Sequence, residues 1–335
     1  VKSLTKNNSV TVVAPARLHM GFLDPNANYG RHFGSIGVAL KQIATRLTIY
    51  PADQLGGQGP QSDRAIRKVR EICTILELPE QVFVDVKQAI PDHIGLGSGT
   101  QMSLAIGMAV SRLYNRDISL RDIAVLTERG ARSGIGIGAF EQGGFVVDGG
   151  RAELTRTPPV VSRMEFPTNW YFILAFDNRE KGLNGKLEVD AFHTLPAFPQ
   201  EKAAEICHRI LMQGLPAIAE QNLQEFGTVI TLVQQAVGDY FSPAQGGRFM
   251  SKEVEKSIQW MGQQGAVGLG QSSWGPTGFC IVEGKMEAQQ LLNQVTNEFS
   301  SNSFLNFQLV SARNGGGGID VDKENSQPVN LNAAN

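Results

Sequence analysis

Hydrophobic and polar positions along the chain follow two rhythms. Residues 9–14 (SVTVVA), 45–50 (TRLTIY) and 82–90 (VFVDVKQAI) are rich in β-branched side chains and alternate with period two, which predicts strands. Between the last two, Ile66, Val69, Cys73 and Leu76 share one helical face. After residue 100, Met102, Ala105, Ile106, Ala109, Val110 and Leu113 recur at helical spacing and predict a helix with a broad buried face. A shorter helix is expected over about 120–130. A glycine-rich stretch then leads into a strand at 144–148 (GFVVD).

Pro158, Pro159 and Pro167 mark a boundary, so domains are expected over 1–165 and 166–313. The second half predicts a strand at 170–176 (WYFILAF) and helices near 201–213, 217–237 and 250–262. Short strands near 266–269 and 278–283, a helix at 286–299 and a strand at 305–311 follow. With two of the three early helices set aside, the order is β-α-β-β-α-β, a split βαβ arrangement in an α+β fold. From Asn314 the chain is polar and aperiodic, so 314–335 is expected to be a disordered tail. No internal repeat is found.

Composition narrows the classes. The 335 residues are 41% hydrophobic and 19% charged, with a net charge of −2, which fits a globular chain with ample core. No global positive field draws nucleic acid or an acidic membrane, so an anionic ligand needs a local site. The charge-free stretches Ile94–Ser111 and Gln264–Val282 are broken by glycines and polar residues, so no membrane span is expected. Cys73, Cys207 and Cys280 are far apart, without a CxxC, which excludes a disulfide scaffold or zinc ribbon. Each lies in an apolar run and is expected to be a buried thiol. Residues 1–9 are polar and lack a signal-peptide core, and a cytoplasmic location is expected.

The strongest local signal is Pro91-Asp92-His93-Ile94-Gly95-Leu96-Gly97-Ser98-Gly99-Thr100-Gln101, between a strand and the long amphipathic helix. Alternate glycines let backbone N–H groups converge, and the helix start adds unpaired donors and a positive dipole end. Gly95, Gly97, Ser98, Gly99 and Thr100 are therefore the candidate phosphate cradle; an ordinary capped turn is the alternative. No lysine follows the glycines, so this is not a Walker loop. A second run, Gly134-Ile135-Gly136-Ile137-Gly138-Ala139, matches GxGxxA by letter, but no strand precedes it.

The first run resembles the second motif of the GHMP kinase superfamily. Ala14-Pro15-Ala16-Arg17-Leu18-His19 resembles its first motif, and Gly268 to Gly278 (GLGQSSWGPTG) its third. The resemblance spans about 14–283 and implies an S5-like N-terminal domain and a ferredoxin-like C-terminal domain. Many of these kinases carry a catalytic aspartate soon after a Ser-Gly pair; at Ser133-Gly134 that position falls on Gly136, and no aspartate occurs between Asp122 and Asp148. The segment Arg17-Leu18-His19-Met20-Gly21-Phe22-Leu23-Asp24, with Gly30-Arg31, Phe33 to Val38, Phe140 to Phe145 and Lys181-Gly182-Leu183, resembles the β-ribofuranosylaminobenzene 5′-phosphate synthases.

That resemblance implies condensation of 4-aminobenzoate with phosphoribosyl pyrophosphate, release of CO2 and pyrophosphate, a Mg²⁺ ion, a homodimer and a place in methanopterin-type C1 metabolism. 4-Hydroxybenzoate, which differs in one para substituent, stays open as the acceptor. Arg17 and Arg31 offer forked donors for phosphate or carboxylate; ion pairs with acids such as Asp24 are the alternative. Asp24 is a candidate for the metal or the developing cation, or a turn residue before Pro25. His19 is a proton shuttle, a carboxylate ligand or a packed histidine. Glu141 is a second metal candidate, Lys181 an anion holder, and Ser272, Ser273 and Gly275 close the site from the C-terminal half. An ATP-dependent small-molecule kinase and a non-catalytic ligand-binding regulator remain the other readings.

Overall fold

Two long strands organise the first half. β1 (Ser9–Asp24) and β2 (Phe33–Pro51) form an antiparallel hairpin of 16 and 19 residues in a computed structural model describing residues 7–179 and 195–322. Alternation predicts only the first third of β1, because its pairing slips twice, between Pro15 and Arg17 and between His19 and Gly21. Ala14 to Ala16 and Leu18 to Phe22 are buried without alternation. Such bulges turn side chains out of register and are common beside functional sites.

β2 pairs with β4 (Val82–Gln88) and with β5 (Phe145–Asp148). With β3 (Gly56–Gln58), β6 (Val160–Met164) and β11 (Gly318–Asp322) they form a seven-stranded sheet, ordered β11-β1-β2-β4-β3 with β5 and β6 branching from β2. Helices α1 (Ser62–Ile75) and α2 (Ser98–Leu113) cover one face, placing Val69, Leu104 and Met108 against Val12, Leu47 and Val84. The expected helix near 120–130 is α3 (Leu120–Leu126). One further helix, α4 (Ile135–Glu141), forms inside the glycine-rich stretch, and β6 forms inside the proline-marked boundary. Its glycines disfavour α4, which packing decides, whereas Val160 and Val161 favour β6 despite the flanking prolines.

The second half is as the element order predicts. β7 (Trp170–Asp177), β8 (Val267–Gln271), β9 (Gly278–Glu283) and β10 (Leu305–Ser311) form an antiparallel sheet ordered β10-β7-β9-β8. The first predicted helix is α5 (Gln200–Arg209) with a π-helical turn (Ile210–Gly214), and the start of the second is split off as α6 (Leu215–Ala219). α7 (Leu223–Gln245) is the long one, followed by α8 (Lys252–Gln263) and α9 (Lys285–Glu298). α7 inserts Phe226, Ile230 and Val233 into one continuous core with Leu18, Met20 and Phe22 of β1 and Phe172 of β7, so the two sheets share apolar packing. No described helix is long and apolar enough to cross a membrane.

Two expectations are corrected. The supposed tail is docked through residue 322. β11 pairs antiparallel with β1, and Asn314 exchanges hydrogen bonds with the Phe166 backbone at 2.8 and 2.9 Å. The glycine run that reads as disorder allows close backbone contact instead, since Gly317 N–H donates to Phe140 O at 2.7 Å. Residues 323–335 lie outside the described residues. Cys207 is exposed, unlike buried Cys73 and Cys280.

Candidate active site

The glycine loop joins β4 to α2 and bends through two left-handed glycines, Gly95 and Gly97, each with φ of +85°. A Cβ on Gly95 would collide with the Ser272 carbonyl and approach Gly275 Cα to 2.9 Å, so only glycine lets the loop lie against the C-terminal motif. Gly97 is the N-cap of α2 and supplies no side chain to cap it. The first-turn N–H groups of a 16-residue helix are thereby left for a ligand. Gly95, Gly97, Ser98, Gly99 and Thr100 all line a cavity of about 360 Å³.

Guanidinium groups surround this helix start. Arg17 donates to Gly95 O, and its Cζ lies 3.4 Å from where a Gly97 Cβ would stand. Arg64, from α1, and Arg129, from the α3–α4 loop, lie 3.1 and 3.7 Å from the corresponding point on Gly99. Arg132 also lines the cavity. Arg64 pairs with Asp92, and Arg129 Nε donates to Ser103 Oγ at 3.2 Å. Burial first, then the charges of Arg129 and Arg67, lower the Arg64 pKa. Burial also lowers that of Arg129. Four arginines and one glutamate line the cavity at this uncapped helix start, and that positive excess suits phosphates.

The opposite wall belongs to the C-terminal half. Ser272 Oγ donates to Gly95 O at 2.8 Å and accepts from His19 N at 3.1 Å, stitching β1, the glycine loop and the third motif together. Ser273 and Gly275 line the cavity; Ser272 is fully buried and acts as the tie. His19 is 2% exposed, and its Nε2 has no hydrogen-bond partner among the described residues. Burial, reinforced by the Arg17 charge, pushes its pKa down to about 3, so the imidazole is neutral.

The structure does not bring Asp24, Arg31 or Glu141 to this cavity. Asp24 accepts from Asn26 N, Asn28 N and Asn28 Nδ2 at 2.8 to 3.2 Å and so holds the β1–β2 turn. Arg31 donates to the carbonyls of Gly149 and Gly150 at 2.6 and 2.9 Å. Glu141 takes a bidentate contact from Arg121 at 2.7 and 2.9 Å, which uses both its oxygens. Lys181 lies outside the described residues. Arg64, Glu128, Arg129 and Arg132 were missed. The available signal was Thr127-Glu128-Arg129-Gly130-Ala131-Arg132-Ser133, two arginines in a turn beside a glycine run.

Residues 63–144 match the family described as GHMP kinases N terminal domain, and residues 215–301 match GHMP kinases C terminal. A β-ribofuranosylphenol 5′-phosphate synthase of Archaeoglobus fulgidus is 33% identical over 80% of this chain and 86% of its own length. The enzyme of the same name from Methanocaldococcus jannaschii is 34% identical over 67% of this chain and 76% of its own. This chain belongs to the β-ribofuranosylphenol 5′-phosphate synthase family. Among solved structures, mevalonate pyrophosphate decarboxylase from Streptococcus pyogenes aligns with a TM-score of 0.64 at 16% identity, covering 93% of this chain and 99% of that one. Homoserine kinase from Cytophaga hutchinsonii aligns at 0.56 and 15%, covering 93% and 98%. The fold is that of the GHMP kinases, as the motifs imply.

If Ser133-Gly134 is the Ser-Gly pair of the kinases, the aspartate position is Gly136, where a side chain would crowd the first turn of α2. A Cβ on Gly136 would stand 3.0 Å from Thr100 Cγ2 and 3.4 Å from Gln101 Nε2. The nearby carboxylate is Asp148, fully buried beneath the loop. It accepts from Gly134 N and Gly150 N at 2.9 Å, from Ser133 Oγ at 3.4 Å and from Ser35 Oγ. Burial raises its pKa and these hydrogen bonds oppose the rise. Arg151 Nη1 donates to Ala131 O at 3.2 Å, so the strand end behind Asp148 also holds the arginine loop.

Proposed function

We propose that the protein transfers the 5-phosphoribosyl group of phosphoribosyl pyrophosphate to the carboxylate-bearing ring carbon of 4-hydroxybenzoate or 4-aminobenzoate. The observation that carries this reading is the ring of Arg17, Arg64, Arg129 and Arg132 around the uncapped start of α2. A donor with one phosphate and one pyrophosphate suits that ring. The relatives' name, a ribofuranosyl group, a 5′-phosphate and a phenol, supports the same donor and favours 4-hydroxybenzoate.

The bond from the anomeric carbon to pyrophosphate breaks, and its electron pair leaves with the pyrophosphate. The ring carbon bearing the carboxylate forms the new bond to the cationic sugar carbon. The carbon–carboxylate bond then breaks, CO2 departs and its electron pair restores aromaticity. The para hydroxyl or amine feeds electrons through the ring, so no decarboxylation cofactor is needed. The arginines and the helix start stabilise the leaving charge, and the glycine loop fixes the donor's orientation.

Mg²⁺ belongs to this proposal. Among the described residues no cluster of three His, Cys, Asp or Glu side chains forms a protein-only cage. Glu128 is the carboxylate lining the cavity. One carboxylate fits Mg²⁺ held chiefly by substrate phosphates and water, so Glu128 replaces Asp24 and Glu141 as the proposed ligand. When bound, the ion neutralises pyrophosphate charge. The homodimer rests on the resemblance alone, and light scattering tests it.

The test is an assay with phosphoribosyl pyrophosphate, Mg²⁺ and each benzoate. Equal release of pyrophosphate and CO2 is expected. Formation of ADP from ATP and a small alcohol, without pyrophosphate release, would replace this reading with the kinase.

A further inference from the structure

The main cavity does not end at the arginines. His19, Phe22, Ser273 and Trp274 line it on one side and a second, smaller recess on the other. The walls at this junction are aromatic. Ring centroids lie 4.6 Å apart for His19 and Phe22, 6.0 Å for Phe22 and Phe241, and 4.1 Å for Phe241 and Trp274. The recess measures about 20 Å³. That admits one water-sized group and no aromatic ring.

The glutamines and the arginine around the recess are already engaged. Gln234 donates to Met20 O and accepts from Gln271 N, at 2.7 and 2.8 Å. Gln271 accepts from Met250 N and donates to Ser273 O. Arg248 makes a two-pronged contact with Asp239 at 2.8 and 2.9 Å. His19 also lines the recess, and its buried Nε2 has no hydrogen-bond partner among the described residues. An unpaired buried nitrogen is costly, and a ligand atom that pairs with it gains specificity.

The reaction proposed above, on which this inference rests, fixes an orientation. The carboxylate-bearing carbon must face the sugar in the arginine-lined cavity. The para substituent then points the opposite way. We propose that the aromatic junction holds the acceptor ring, with its para hydroxyl or amine in the recess against His19 Nε2, so that His19 selects the acceptor. A neutral imidazole, able to donate or accept, matches an uncharged hydroxyl or amine better than it matches a carboxylate.

The test measures acceptor binding by calorimetry with phosphoribosyl pyrophosphate present and Mg²⁺ omitted. The ligands are 4-hydroxybenzoate, 4-aminobenzoate and 4-methylbenzoate, the last having the same shape but no polar para group. His19→Phe is expected to weaken the first two by about 10-fold or more and to leave 4-methylbenzoate and phosphoribosyl pyrophosphate nearly unchanged. His19→Asn, the milder change, should keep part of the preference. The inference is overturned if either folded variant binds all three benzoates as wild type does. It is equally overturned if the three weaken together, if wild type shows no preference over 4-methylbenzoate, or if neither variant folds well enough to bind phosphoribosyl pyrophosphate. Absence of pyrophosphate release by wild type in the Mg²⁺ assay sinks the reaction itself, which is a separate result.

Discussion

The start of α2 and the tip of the β1–β2 hairpin both gather charged residues on bends of the chain, yet they are built in opposite ways. At the hairpin tip, Asp24 and Arg31 spend their hydrogen bonds on neighbouring polar groups, Asp24 on the turn and Arg31 on Gly149 and Gly150. At the helix start, Arg17, Arg64 and Arg129 converge on glycine backbone and leave the first turn uncapped. The hairpin-tip charges shape a turn, whereas the excess of arginines over carboxylates beside open backbone donors favours an anion. The two regions are connected: the carbonyls that Arg31 grips follow Asp148, which anchors Ser133 and Gly134 at the end of the arginine loop.

The largest expected effect breaks the helix-start region outright. Gly95→Val places a side chain against the Ser272 carbonyl at a left-handed φ, and should cost about 3–5 kcal/mol in urea denaturation, with loss of activity. Unchanged stability would mean the loop stands off the C-terminal motif in solution.

Arg129→Ala should weaken phosphoribosyl pyrophosphate binding by about 30- to 1000-fold, some 2–4 kcal/mol, while the ligand-free Tm holds or rises. A fall in Tm with unchanged affinity would make Arg129 a structural residue like those of the hairpin tip.

Asp148→Asn tests the anchor between the regions. The amide turns one acceptor into a donor facing a backbone N–H, at a cost of about 2–3 kcal/mol near neutral pH. The sign of the pH effect follows from burial, which raises the folded pKa above the unfolded value of about 3.9. The folded state then holds this proton more tightly, so its contribution to stability falls as pH rises from about 4 through the folded pKa. The variant should lack that slope in Tm measured from pH 4 to 7.

Arg31→Lys loses the forked grip on Gly149 and Gly150 and should raise KM for phosphoribosyl pyrophosphate by roughly 5-fold, about 1 kcal/mol, through the arginine loop. An unchanged KM would uncouple the regions. Asp24→Asn should do least, with kcat within about threefold because it alters a turn. A fall of a hundredfold or more in kcat would place that carboxylate at the reacting centre in the substrate complex.

What the sequence determined by itself was local and periodic. Helical spacing located α1 and α2, alternation located β4, short apolar runs marked β7 and β9, and the order of elements in the second half matched the split βαβ sheet. The glycine loop was legible because positive φ and close approach select glycine directly, whatever surrounds it. Tertiary structure decided the rest. The bulges that carry β1 past residue 14 have no period, α4 forms against the propensity of its glycines, and β11 pairs only because β1 offers an edge. The same holds for charge. An arginine's letter does not say whether its partner is a carbonyl, a carboxylate or a hydroxyl. Arg31 and Arg129 became distinguishable only when the fold set one against Gly149 and Gly150 and the other beside Gly99, because electrostatic roles depend on distances between residues far apart in the chain.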